Sequence, residues 1–418
     1  LAASMLAVLA LWLPALFMSR SAMIAGERYW WLGDDAMISM RYGRNLAHGL
    51  GLVWNAGERV EGYTNFLWTV FMGVVHLFPI PASKTSLVVL LANVALALAT
   101  IPVILGLVRA LGGGSLTAAF ACAGYVLSSP IMAWATAGFE TTLLSFLFLL
   151  SVYRVIRESQ AERPRLLTYM LIAAMSLVRA DAMVLSALLY ALSLLLSRNR
   201  RLVVAYSALS LALPLAQEVF RLSYYGDLLP NTAYLKTSNW SGRYAAGLGY
   251  ALDFARHYPI LIGVALAGSL FSRQRPRLFL LGVFLAYAAY VAYVGGDAFQ
   301  GFRFFVPVVP LLLALAFLSV QPVELARLAE SLRSIFGPRA LQRVTRLALL
   351  AGGMAVVALS LAAVFMAAGA KSRFGVRQFF GVVVGTGLLT GSLTLPRWRA
   401  LAGRLLHHTT LWALALDL

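Results

Sequence analysis

Acidic residues are scarce in this chain and cysteine is nearly absent. Sixteen Asp and Glu stand against 34 Lys and Arg, and charged residues of both signs make up only 12% of the sequence. A soluble domain carries about 25%, so an ordinary water-exposed surface is excluded. The single cysteine, Cys122, sits in an apolar run. That excludes an intrachain disulfide and a cysteine-built metal site. The five histidines, His48, His76, His257, His407 and His408, show no ligand spacing with nearby acids. Gly112-Gly113-Gly114-Ser115 lacks the lysine and preceding strand of a phosphate loop and reads as a turn. No internal repeat and no low-complexity tract is visible.

What fills the chain is apolar: 61% of 418 residues. Runs of about 18 or more such residues recur from end to end, the pattern of a polytopic helical membrane protein. The formal charge of +18 does not point to nucleic acid, because no basic helix is interleaved with aromatics. Instead the arginines cluster between apolar runs, as the positive-inside rule requires. Leu1 opens inside an apolar stretch without an A-x-A-like cleavage site. It is read as a first transmembrane helix cut short of its natural N-terminus, not as a signal peptide.

Apolar spans are expected at residues 2–18, 86–108, 115–127, 141–155, 166–178, 183–196, 202–219, 259–270, 278–294, 304–320, 347–366 and 379–395. Four basic clusters fix the cytoplasmic side: Arg154 to Arg165, Arg198 to Arg201, Arg273 to Arg277, and Arg327 to Arg346. For the first two to lie on one side, 166–196 must be a hairpin of two short helices with its apex at Arg179-Ala180-Asp181. The same ledger puts Asp34, Glu140, the loop 224–258 and the segment 295–303 outside. The apolar stretch 64–78 is too short to cross and is expected to be interfacial or re-entrant within one long external loop, 20–83.

That loop concentrates the polar chemistry. Gly33-Asp34-Asp35 precedes a helical run in which Asp34, Ile38, Arg41 and Asn45 share a face, with Asp35, Ser39 and Tyr42 beside it. One Asp suffices to cap a helix; the second is left over, and a carboxylate there suits a general base or a divalent-metal ligand. Trp54, Glu61, Tyr63 and Asn65 offer the aromatics, carboxylate and amide that sugar recognition uses, although such side chains also tie up loop backbone. Arg179 and Asp181 at the hairpin apex either pair or bind substrate, with Arg179 a candidate for a phosphate. Asn231 and Lys236 flank Pro230 in the second external loop. Asp297 and Arg303 follow a glycine pair and either cap the next helix or meet an anionic headgroup. Glu140 opens a helix, where the dipole favours it.

Taken together, Gly33-Asp34-Asp35-Ala36-Met37-Ile38-Ser39-Met40-Arg41-Tyr42, Arg59-Val60-Glu61-Gly62-Tyr63-Thr64-Asn65-Phe66-Leu67-Trp68, Tyr224-Tyr225-Gly226-Asp227-Leu228-Leu229-Pro230-Asn231-Thr232 and Gly295-Gly296-Asp297 through Arg303-Phe304-Phe305 resemble the GT-C class of membrane glycosyltransferases. Within it they resemble the terminal arabinofuranosyltransferases of actinobacterial arabinogalactan synthesis. The resemblance covers roughly residues 1–370. With the apolar runs it gives an all-α, GT-C-like bundle of about 11–12 transmembrane helices with a long first extracytoplasmic loop; the segment 371–418 reads either as a last helix and cytoplasmic tail or as something less ordered. The resemblance also implies a polyprenyl-phosphate sugar donor, inverting transfer, and Asp34 or Asp35 as the base. Other members carry a soluble domain after the core; here fewer than fifty residues follow Lys371.

The expected function is therefore transfer of a sugar, arabinofuranose under this resemblance, to an envelope glycan or glycolipid at the outer face of the plasma membrane. The donor phosphate falls to Arg179, Lys236 or Arg303. Arg41, Tyr42, Trp54, Glu61, Tyr63, Asn65, Glu140, Asp181, Asn231 and Asp297 are the expected substrate contacts. No nucleotide is needed, and Asp34 or Asp35 can ligate a divalent metal. The rivals are a lipid or solute transporter, which places its site near the midplane in repeated halves, and a non-catalytic lipid-carbohydrate binding subunit.

Overall fold

Apolar runs in a bilayer must satisfy their backbone groups internally, and helices do so. The computed structural model describes residues 2–231 and 242–321, which form one compact unit ending at Leu318. Lys236, the arginines from Arg327 to Arg346, the spans at 347–366 and 379–395 and the segment 371–418 lie outside the described residues.

The elements are α1 (Ala2–Ser19), β1 (Ser21–Ile24), β2 (Glu27–Trp30), α2 (Asp34–Ala47), α3 (Phe66–His76), α4 (Ala82–Ala110), α5 (Ser115–Leu127), α6 (Ser129–Ala135), α7 (Thr141–Gln160), α8 (Leu166–Val178), a 3-10 turn (Ala180–Ala182), α9 (Met183–Leu196), α10 (Arg200–Ser210), α11 (Ala212–Tyr225), α12 (Arg243–His257), α13 (Pro259–Leu270), α14 (Arg275–Val294) and α15 (Val309–Ser319). Sequence periodicity did not indicate β1 and β2. They pair antiparallel with Ser21 opposite Trp30 and turn on Ala25 and Gly26, both at positive φ.

Among the described residues three helices are long and apolar enough to cross a membrane: α4, the stretch Arg200–Tyr225 and α14. The α5–α6 pair, bent by 58°, makes a fourth if counted as one span. The expected 11–12 crossings counted every apolar run, including helices of 10–17 residues. Pro214 lies three residues into α11 and has no N–H to donate to Ser210, four residues back, which accounts for the break between α10 and α11. The last described helix likewise starts at Val309, not at Phe304, with Pro310 in its first turn. Arg303 therefore stands in a turn before it and caps nothing.

The hairpin expected at 166–196 is present. Ser186 Oγ donates to the Ile172 carbonyl at 2.7 Å across it, and the 3-10 turn is its apex. Within the loop 20–83 α2 lies against α3, and their approach is close enough that a Cβ on Gly43 would come 2.7 Å from the Gly73 nitrogen.

Alternating helix ends sort the polar groups. At one end Gln160 Nε2 reaches the Ala110 carbonyl at 2.8 Å, Arg277 donates to Leu111 O at 2.9 Å, and Arg198 pairs with Glu162 at 2.8 Å. At the other end stand the start of α7, the α8–α9 apex and the turn after α14, with α2 and α3 against them. The three described basic clusters thus occupy the end opposite Asp35, Glu140, Asp181 and Asp297.

Candidate active site

The start of α2 is set by Gly33. Its backbone is extended, its N–H donates to Ala137 O at 2.7 Å, and a Cβ there would strike Phe139 at 2.3 Å. Only glycine lets the chain pass this close to the turn before α7. Asp34 and Asp35 are then the first two helical residues, favoured there by the dipole. Neither makes a side-chain cap. Both are exposed, so the helix-cap explanation for the pair does not hold in this structure.

Arg303 joins Asp35 to the bundle. Its guanidinium is held side-on by Asp297, with Nε to Oδ2 at 2.8 Å and the second amino group to Oδ1 at 3.1 Å. The remaining amino group stands 3.8 Å from an Asp35 oxygen. Rings of Trp134, Phe139 and Phe299 surround the cation at 5.6, 5.7 and 4.7 Å, and Trp134 Nε1 is fixed by Gly301 O at 2.8 Å. The Asp297 side chain is 6% exposed and that of Arg303 10%, whereas Asp35 is 50% exposed. The result is a rigid buried cation presenting one edge to a carboxylate that faces outward. Cations over aromatic faces in such a dry setting gain about 2 kcal/mol.

Next to it runs a hydrogen-bonded chain. Ser39 Oγ and Thr69 Oγ1 both donate to Asn65 Oδ1, at 2.8 and 3.0 Å. This fixes the amide so that its nitrogen donates to Glu140 Oε2 at 2.9 Å. The other Glu140 oxygen faces Arg179 at 3.8 Å. Arg179 is chelated by Asp181 at 2.9 and 2.6 Å and lies over the Phe304 ring at 4.7 Å. Burial alone would lower the Arg179 pKa, but Asp181 and Glu140 outweigh it and the net shift is upward. Around Arg179 and Arg303 thus stand Asp35, Glu140, Asp181 and Asp297, four carboxylates to two guanidinium groups. Of the two outcomes expected for these arginines, pairing is the one this structure holds: each is bonded side-on by its own aspartate, Arg179 by Asp181 and Arg303 by Asp297. Tyr250, which sequence reasoning passed over, is half-buried against Phe305, and its partial burial followed by the Asp297 charge raises its pKa.

Other expected contacts are occupied by the loop itself. Tyr42 and Tyr63 are each only 2% exposed. They pack edge to face at 5.1 Å, and Tyr42 Oη bonds the backbone at Val60 and Gly62. Their rings are core, which corrects Tyr63 as a sugar platform. Arg41 bonds Trp54 O at 3.0 Å and stacks over the Trp54 ring at 4.3 Å; that ring keeps an exposed face. Glu61 is buried and bonded by Arg221 Nε at 2.7 Å, and Arg221 also pairs with Glu218. Burial lifts the Glu61 carboxyl above the usual range even though Arg221 pulls it down. Asn231 donates its backbone N–H to Glu61 O at 3.0 Å, and its side chain is exposed.

Among the described residues no three His, Cys, Asp or Glu side chains come together as a metal-ligating group. Asp34 and Asp35 are two carboxylates, the number that suffices for a hard divalent cation when waters and a substrate phosphate complete its shell.

No protein-family model matches the chain. It is 32% identical over 273 residues to a terminal beta-(1->2)-arabinofuranosyltransferase of Mycobacterium tuberculosis, a match covering 60% of this chain and 42% of that protein. It is 31% identical over 281 residues to the protein of the same name from Corynebacterium glutamicum, covering 61% and 40%. The match thus spans about two fifths of the length of these curated relatives. Among solved structures it superposes on ArnT from Cupriavidus metallidurans bound to undecaprenyl phosphate with a TM-score of 0.57 and 16% identity, covering 100% of this chain and 76% of that one. The apo form of ArnT gives 0.54 at 15% identity, covering 99% and 75%. The chain therefore resembles the terminal arabinofuranosyltransferases in sequence and has the GT-C fold of ArnT.

Proposed function

We propose that this protein is an inverting glycosyltransferase that moves a pentofuranose, arabinofuranose by its relatives' names, from a polyprenyl phosphate to an envelope glycan or glycolipid. The observation that carries the reading is the outward-facing Asp35 carboxylate held opposite a buried, aromatic-caged Arg303. The names of the curated relatives and the lipid in the ArnT structure support the choice of sugar and carrier. The arginine-rich opposite end supports an extracytoplasmic site.

In this mechanism Asp35 takes the proton of the acceptor hydroxyl. The hydroxyl oxygen forms a bond to the anomeric carbon as the bond from that carbon to the phosphate oxygen breaks. The electron pair leaves with the polyprenyl phosphate, and the configuration inverts. An oxocarbenium-like transition state is stabilised by carboxylates near the ring, which suits the acid excess here. The leaving phosphate gains charge as it departs and needs a cation. Arg303 supplies it once a phosphate oxygen takes the edge now facing Asp35, and Lys236 is the second candidate. Asp34 stands in reserve beside the base, and the exposed Trp54 face and Asn231 are candidates for the acceptor.

Purified protein in proteoliposomes is given an arabinan acceptor and a panel of polyprenyl-phosphoryl sugars. Transfer from the arabinofuranosyl donor with inverted anomeric configuration is expected. Vectorial movement of the intact donor without a new glycosidic bond would instead favour a transporter.

A further inference from the structure

Arg179 is the more deeply buried of the two arginines, and it carries an unsatisfied edge. Asp181 takes its Nε and one amino group. The other amino nitrogen, Nη1, is buried without a hydrogen-bond partner. A buried N–H left unmade costs about 1–3 kcal/mol, more on a charged group, so a native structure retains one when something else completes it. The atom facing it is Glu140 Oε1 at 3.8 Å, beyond hydrogen-bonding reach. That carboxylate cannot drift closer, because Asn65 holds its other oxygen and is itself fixed by Ser39 and Thr69.

Nη1 has almost no accessible surface, so an oxygen reaches it only when neighbouring side chains shift; once about 2.8 Å from each of these two atoms, it would accept from Nη1 and donate to Oε1. Only a group with both a lone pair and a proton serves. A phosphate oxygen has no proton to give, and it would add a third negative charge to a guanidinium already flanked by two carboxylates. We propose that Arg179 Nη1 and Glu140 Oε1 together read one hydroxyl of the transferred sugar, with Asn65 as the residue that positions Glu140. This rests on the glycosyl-donor reading above and changes the expected role of Arg179 from phosphate contact to specificity. A site that hydrogen-bonds a substrate hydroxyl discriminates strongly against the analogue lacking it, because both buried partners are then left unpaired.

The test uses short-chain polyprenyl-phosphoryl arabinofuranose and its three singly deoxygenated counterparts, with the full chain in nanodiscs. Transfer gives kcat/KM, and displacement of a fluorescent polyprenyl phosphate gives affinity without turnover. For the wild type, one deoxy donor should fall by ~10²-fold or more in kcat/KM, with weakened binding. Glu140→Gln, which keeps the shape and the bond from Asn65 but removes the acceptor at Oε1, should lower the parent donor by a similar factor. On that one deoxy donor it should cost under ~3-fold more, since the lost contact is the same. If Glu140→Gln costs the same on the parent and on all three deoxy donors, the gap holds water and the assignment is overturned while transfer stands. If the wild type binds the parent in preference to one deoxy donor yet transfers nothing, the transfer reading fails and the hydroxyl assignment survives. Equal binding of all four lipids overturns the assignment whatever the rate.

Discussion

Two buried arginines, Arg221 and Arg303, each lie between two carboxylates, and they differ in what the outer carboxylate can reach. Arg221 joins Glu61 to Glu218 and also reaches the Leu228 carbonyl. Tyr63 and Tyr225 pack beside it, their hydroxyls 3.2 Å apart, and Asn231 closes over the Glu61 backbone. Arg303 joins Asp297 to Asp35, but Asp35 is half exposed and its second contact is long. The first triad is bonded at both carboxylates and ties the loop 20–83 to α11. The second is open on one side and rigid on the other, which is what a base and a leaving-group cation require. The same three charges thus make a latch in one place and a reactive edge in the other.

The largest effect that separates them is on stability. Arg221→Ala leaves Glu61 buried and uncompensated, and breaking such a pair from one side costs about 3–5 kcal/mol. A fall in the detergent melting temperature, with loop cleavage by added protease, should follow. Were Arg221→Ala as stable as the wild type, the latch reading would be lost. Next, Arg303→Lys keeps a charge but not the side-on chelation by Asp297, and a point charge does not replace a planar fork. It should lose ~10–10²-fold in transfer, as expected when one preorganised stabilising contact is removed. Its melting temperature should stay near that of the wild type; parallel losses of stability and rate would make Arg303 a second latch.

Gly33→Ala sharpens the same contrast from the backbone side. A Cβ 2.3 Å from Phe139 must push the start of α2 from the turn that cages Arg303. Misplacement of this kind can cost ~10²-fold in rate, and here ~10-fold with little change in lipid binding is expected. Smallest of all, Asp34→Asn removes an exposed charge that touches no described partner. It should change turnover by under ~3-fold, within the range of surface substitutions. A loss of two orders of magnitude would exchange the roles of Asp34 and Asp35.

How much of this was legible beforehand follows from distance along the chain. The apex at Arg179 and Asp181 could be read because two arginine clusters forced 166–196 into a hairpin, and both residues lie within it. The pairing of Asp297 with Arg303 was visible for the same reason, being six residues apart. Glu61 could not be matched to Arg221, 160 residues away, because Arg221 reads as the polar end of an apolar helix. Tyr42 and Tyr63 were indistinguishable in sequence from Trp54; only packing separates rings that fill a core from one that keeps a face outside. Short apolar runs such as α8 and α9 form helices of 13 and 14 residues, below the length that marks a crossing by itself, so the number of crossings cannot be read from the apolar runs alone.

The central claim is that the open triad is the reacting one. It is tested most directly by single-turnover transfer from polyprenyl-phosphoryl arabinofuranose, comparing Asp35→Asn, the exposed carboxylate of its triad, with Glu61→Gln, the buried carboxylate of the other. General base catalysis typically supplies 10²–10⁴-fold, so Asp35→Asn should lose ~10²-fold or more while binding the donor as the wild type does. Glu61→Gln should retain the single-turnover rate to within ~3-fold in whatever fraction remains folded. A near-normal rate for Asp35→Asn, together with a collapse for folded Glu61→Gln, would contradict the account and move the reaction to the other triad.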